Sequence, residues 1–117
     1  MKFKLLVVMT EDSMTSRAIE TARSHGATGC TVITNARGEG LKPTKTFLGL
    51  SVAGHRDVVL LLVEEHLSRH ILEAVGAACH FDVEAGIGVA FQINIEDAMG
   101  LRDQMATIGQ EISEGEL

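Results

Sequence analysis

Hydrophobic positions along this chain alternate between two periods. Phe3 to Met9 is an unbroken apolar run of strand length, as expected for a strand central in its sheet. From Glu11 to His25 the spacing becomes helical, with Met14, Ala18 and Ala22 on one face, Thr10 or Ser13 available as a cap, and Gly26 as a stop. Thr28 to Thr34 is rich in β-branched residues and predicts a second strand. A polar, glycine-bearing stretch from Asn35 to Lys45 then carries the only proline and predicts a loop. Thr46–Val52 predicts a short strand, pairing through a turn at Ala53-Gly54-His55 with a stronger apolar strand at Asp57–Val63. Glu64 to Ala78 predicts a helix with Leu67, Ile71, Ala74 and Ala78 inward and Glu65, His66, Arg69, His70 and Glu73 outward. The loop Phe81–Gly88 leads to a strand at Val89–Ile95, and Leu101, Met105, Ile108 and Ile112 form the stripe of a C-terminal helix.

The order β-α-β-(β)-β-α-β-α predicts an α+β fold: a ferredoxin-like βαββαβ unit with an antiparallel sheet, both helices on one face, and an extra C-terminal helix. Residues 1–117 form a single domain, with an exposed loop at about 36–55 and an acidic tail at 111–117. The strand at 57–63 is apolar on both sides, Val59, Leu61 and Val63 alternating with Val58, Leu60 and Leu62. Two helices cover only one of those faces. The other must meet a second surface, and self-association is the simplest way to bury it.

Charge and composition narrow the partners. Ten Lys+Arg against sixteen Asp+Glu leave a net charge of −6, which argues against a phosphate-backbone groove. Four Phe, no Trp and no Tyr leave little for base stacking. No apolar stretch approaches a bilayer span, and the N-terminal apolar run is too short for a secretory signal, so no membrane insertion and a cytoplasmic location are expected. Cys30 and Cys79 lack C-x-x-C spacing and predict buried free thiols.

Gly26-Ala27-Thr28-Gly29-Cys30-Thr31-Val32 entering the second strand, the glycine-bearing loop after it, and Gly86-Ile87-Gly88-Val89-Ala90-Phe91 before the last strand resemble the PII signalling proteins. The resemblance spans roughly residues 3–102. It implies a trimer of ferredoxin-like subunits, small-molecule sites in the clefts between subunits, and a protruding T-loop that meets target proteins. Carried over by position, it implies ligand-binding roles for Thr31, for Gly38 and Gly40, for Gly86 and Gly88 as an anion-binding backbone nest, and for Arg102. Where the family has a phosphate-binding lysine this chain has Val89, and where it has a second arginine this chain has Gly100. Each lost contact forfeits about 1.5–3 kcal/mol, so the two together weaken ATP by about 10²–10⁴-fold. The family's third-strand acid is Leu60 here, and the T-loop tyrosine that serves uridylylation is missing. The pattern is that of a divergent PII-like protein.

Other chemistry is sparse. Arg37, Lys42 and Lys45 make the 36–55 loop basic in an acidic protein, a docking surface for a partner such as a transporter or enzyme, and Arg56 stands where it can reach an inter-subunit cleft. His66 and His70 are at i,i+4 with Glu73 one turn on, a spacing that lets side chains share a divalent metal. No nucleophile–base pair or P-loop is present, so no enzymatic activity is expected. The expected function is a PII-like regulator that binds a small effector, an adenine nucleotide (ATP, ADP or AMP) held weakly, at inter-subunit clefts of a homotrimer. The alternatives are a trimer similar to the metal-binding CutA proteins and an orphan trimeric scaffold whose ligand site has decayed.

Overall fold

A computed structural model describes residues 2–37, 46–47, 50–51 and 55–101. Strand β1 (Phe3–Glu11) leads through a short 3-10 turn (Asp12–Met14) into helix α1 (Thr15–Ser24), then β2 (Thr31–Ala36). Two-residue strands β3 (Thr46–Phe47) and β4 (Leu50–Ser51) pair with each other. Strand β5 (Arg56–Glu64), helix α2 (Glu65–Ala78) and strand β6 (Gly88–Asn94) complete the described order. The main sheet runs β2-β5-β1-β6 with every neighbour antiparallel, the ferredoxin-like arrangement expected.

The core forms where the helices meet one sheet face. Leu6 and Val8 of β1, Val59, Leu61 and Val63 of β5, Ala18 and Ala22 of α1, and Ile71, Val75 and Cys79 of the α2 segment are all buried. Alanines at 18 and 22 let α1 lie close on the sheet. Gly26 ends that helix with φ +111°, and the Ala27 N–H closes back on the Ala22 carbonyl at 2.9 Å, a glycine-terminated helix end. No side chain caps the α1 N-terminus: the 3-10 turn leads in and the helix starts at Thr15, so neither Thr10 nor Ser13 serves.

Several expectations shift. Strand β5 does not pair with β3 or β4, because β1 and β2 occupy its two edges; β3 instead folds onto β4. The buried stripe of α2 is Ser68, Ile71 and Val75, continued by Cys79, rather than Leu67, Ile71, Ala74 and Ala78. Ser68 tolerates burial because its hydroxyl donates to the Glu65 carbonyl. Cys79 is the buried thiol and Cys30 is exposed. The C-terminal helix and acidic tail lie outside the described residues.

The opposite sheet face is apolar, with Val7 buried at its centre and its edge-strand residues exposed. Register places Leu5, Val7 and Met9 of β1 beside Leu62, Leu60 and Val58 of β5, and beside Ile93, Phe91 and Val89 of β6. Thr31 and Ile33 extend the same face on β2. No described helix covers it; Ile33 is 49% and Ile93 47% exposed.

Candidate functional site

The residues carrying the expected chemistry fall into three groups. One gathers at the sheet end where β1 and β2 finish and β5 and β6 begin. Arg56 opens β5 opposite Glu11 and Ala36, and Arg37 follows directly on β2. The Arg56 guanidinium, nearly buried, pairs with the Glu11 carboxylate at 3.3 Å. The backbone N–H of Glu11 donates to the Ile87 carbonyl at 3.0 Å, and the Thr10 hydroxyl reaches the same oxygen at 3.3 Å. Glu11 therefore ties the 80–87 turn, through its backbone, to the base of the 37–55 loop, through its carboxylate.

Within that turn Gly86 takes φ +82°, a left-handed conformation open to glycine. Gly88 is needed for a different reason: a side chain there would run into the Phe81 ring and stand 2.8 Å from the Met9 carbonyl oxygen. Beside it a groove of about 600 Å³ opens between α2 and β6, lined by Leu72, Gly76, His80, Phe81, Gly88 and Val89 among others. Sequence reasoning missed this groove. Its signal was Gly76, a small residue on a helix side that has no Cβ contact within 4 Å.

Thr31 forms the second group by itself, at the start of β2. Strands β2 and β6 are the two edges of the sheet, so Thr31 and Gly88 lie three strand spacings apart, about 14 Å, with a further three residues, about 10 Å, of offset along the strands. One copy of this chain does not bring Thr31 to the Gly86–Gly88 turn.

The third group is on the outer side of α2. The His66 ring Nδ1 lies 2.5 Å from Glu64 Oε1, while the other Glu64 oxygen caps the helix by accepting from the His66 N–H at 2.7 Å. That carboxylate bond, with the charge behind it, raises the His66 pKa above its usual 6.5. Glu73 pairs with Arg69 at 2.6 Å, and the His70 ring packs against His25 of the α1 end. The close cluster of ligand atoms among the described residues is Glu64, Glu65 and His66; His66, His70 and Glu73 are not gathered into one set. Gly38, Gly40, Lys42, Lys45 and Arg102 lie outside the described residues. Gly100, at the lost-arginine position, takes φ +89°, so an arginine there would be strained.

Residues 3–105 match the family model for nitrogen regulatory protein P-II. The chain belongs to the P-II family. Its members are regulatory proteins that act as trimers and work through protein partners. Among solved structures, apo CPII of Thiomonas intermedia K12, a nitrogen regulatory PII-like protein, shares the P-II fold at a TM-score of 0.63 and 22% identity, over 81% of this chain and 90% of that one. CPII bound to ADP, AMP and acetate gives 0.59 and 20%, over 82% and 90%. A protein of Thermus thermophilus described as PII-like gives 0.60 and 24%, over 80% and 87%. No curated protein matches. Among the described residues no helix is long and apolar enough to cross a membrane.

Proposed function

We propose that this P-II family member is a homotrimeric, non-enzymatic regulator, working in the cytoplasm, that takes an adenine nucleotide where the β2 edge of one copy meets the β6 edge of the next. The observation carrying this reading is the separation of Thr31 from Gly86 and Gly88 on opposite sheet edges. Two half-sites on opposite edges make a heterologous contact, and a heterologous contact that closes gives a ring. The apolar face that no described helix covers, to which Met9 of the inner strand β1 and Phe91 of the edge strand β6 belong, supplies the surface that such a ring buries. Binding of ADP and AMP by CPII supports the ligand class.

Val89 and Gly100 remove two phosphate-binding cations, so the third phosphate gains little. AMP or ADP binds at least as tightly as ATP. Bound phosphate at the 86–88 turn acts on the basic loop through Ile87, Glu11 and Arg56, with Arg37 beside that relay and Gly38, Gly40, Lys42 and Lys45 in the loop itself; Arg102 completes the clamp. A transporter or enzyme reading that loop is the regulated partner.

Calorimetry with AMP, ADP and ATP tests the ligand, and light scattering tests the assembly. Wild type is expected at three times the 12.5 kDa chain mass, and Met9→Asp, which puts a carboxylate into the face, at one. A stable wild-type monomer, or ATP bound a hundredfold more tightly than ADP, refutes the reading.

A further inference from the structure

We infer that His25 and His70 form a two-imidazole site for a borderline divalent cation such as Zn²⁺, bridging the end of α1 to the middle of α2. Their ring centroids are 4.9 Å apart and the planes are tilted by 59°. A Zn–N bond of about 2.0–2.1 Å places an imidazole centroid about 3.2 Å from the ion, and two such rings at a tetrahedral angle have centroids about 5 Å apart. The observed separation lies close to that spacing, so the packing of α1 on α2 already holds the two rings within reach of one ion.

Hydrogen bonding prepares the His25 ring. His25 Nδ1 lies 2.8 Å from the Thr21 carbonyl oxygen, which only accepts, so Nδ1 carries the hydrogen and Nε2 keeps its lone pair. Anchoring the far nitrogen on a carbonyl is how metal-binding histidines are usually oriented. The Ser24 hydroxyl, 3.1 Å from the same Nδ1 and itself donating to Thr21, holds that ring further. Among the described residues no hydrogen-bond partner meets either Nε2. His70 is exposed and His25 half-buried, so an ion reaches the pair from solvent. His25 also caps α1, where the negative end of the helix favours a cation. This pairing differs from the His66/His70 spacing that the sequence suggested: Glu64 already engages His66, whereas His25 is 45 residues from His70 in the chain and joins it only through the packing of α1 on α2.

The test is calorimetry of the full-length protein with Zn²⁺ alone, for wild type and for His25→Ala, His70→Ala and His66→Ala. Loss of a group that merely orients a metal ligand typically costs 10–100-fold in affinity, so loss of a ligand itself should cost at least about tenfold. Wild type is expected to bind one ion per chain, His25→Ala and His70→Ala each to weaken it by that factor or more, and His66→Ala to leave it within about twofold. His70 is an exposed helix position, so its alanine variant folds regardless and keeps the test sound if His25→Ala unsettles the end of α1. Absence of binding up to millimolar Zn²⁺, or a loss with His66→Ala as large as that with His25→Ala, overturns the assignment. Neither result bears on nucleotide binding, which uses other residues.

Discussion

Glycine at two positions answers to opposite physics, and alanine at each gives a paired prediction. At Gly88 the new methyl collides with the Phe81 ring and stands 2.8 Å from the Met9 carbonyl oxygen. The ring can swing aside; the carbonyl belongs to β1, whose ladder with β6 pairs Met9 with Val89 and Thr10 with Gly88. The start of β6 must therefore lift away from β1, an overpacking strain of about 1–3 kcal/mol. Restricting the unfolded chain returns about 0.4–1 kcal/mol. The two ranges leave a net loss of up to about 2.6 kcal/mol, about 1.3 kcal/mol at their midpoints. At Gly76, inside α2, no Cβ contact lies within 4 Å and the groove receives the methyl. Helix preference then predicts a gain of roughly 0.8–1 kcal/mol. Thermal melts at one fixed protein concentration read both, at about 4–8 °C per kcal/mol for a domain near this size. Gly88→Ala should melt lower than wild type and Gly76→Ala higher. A Gly88→Ala protein as stable as wild type would show that the 88 position is not packed as described and that its glycine serves ligand approach alone.

Thr15→Val removes the hydroxyl that donates to Asp57 at 2.6 Å in a buried setting, leaving a carboxylate short of a partner; denaturant melts should show a loss of about 1.5–3 kcal/mol, and no change would mean that water replaces it freely. His66 should titrate above 6.5 by NMR, and Glu64→Gln should bring it back down. Since folding raises this pKa, the Glu64 interaction stabilises fully below 6.5 and fades as pH rises through the folded value; a stability curve flat across that window in wild type would deny the pairing. Cys30 is exposed beside Thr31, whereas Cys79 is buried with its thiol pKa raised by desolvation, so a thiol reagent should label one cysteine per native chain and ADP should slow that labelling. Labelling indifferent to ADP would place the nucleotide elsewhere.

Much of the fold was legible because it rests on short-range periods. The unbroken apolar run Val58–Val63 shows without reference to any other element that both faces of that strand are apolar, and the helices bury the Val59, Leu61 and Val63 face. What depended on distant pairing was not legible. The edges of β5 are claimed by β1 and β2, far away in sequence, and a local hairpin reading of 46–63 had no means of seeing that competition. On α2, apolar residues flank the true stripe on both sides. Val75 and Cys79 win the core over Ala74 and Ala78 by volume, and Ser68 joins them by bonding its own helix. The site was half legible. Gly86 and Arg56 fall together at one sheet end, but sequence order does not say that Thr31 lies on the far edge, and the proposal of a shared site rests on that distance.

Mixing two half-dead variants tests the shared site most directly. Thr31→Tyr blocks the β2 half-site and Gly86→Val the turn half-site, and each protein alone should bind no ADP. Unfolded together in equal amounts and refolded, they form clefts that draw one half from each copy. About a quarter of the clefts then carry both intact halves in a ring of heterologous contacts. The account predicts ADP binding in the mixture at about that fraction of the wild-type stoichiometry. A mixture as inert as its parents would contradict it.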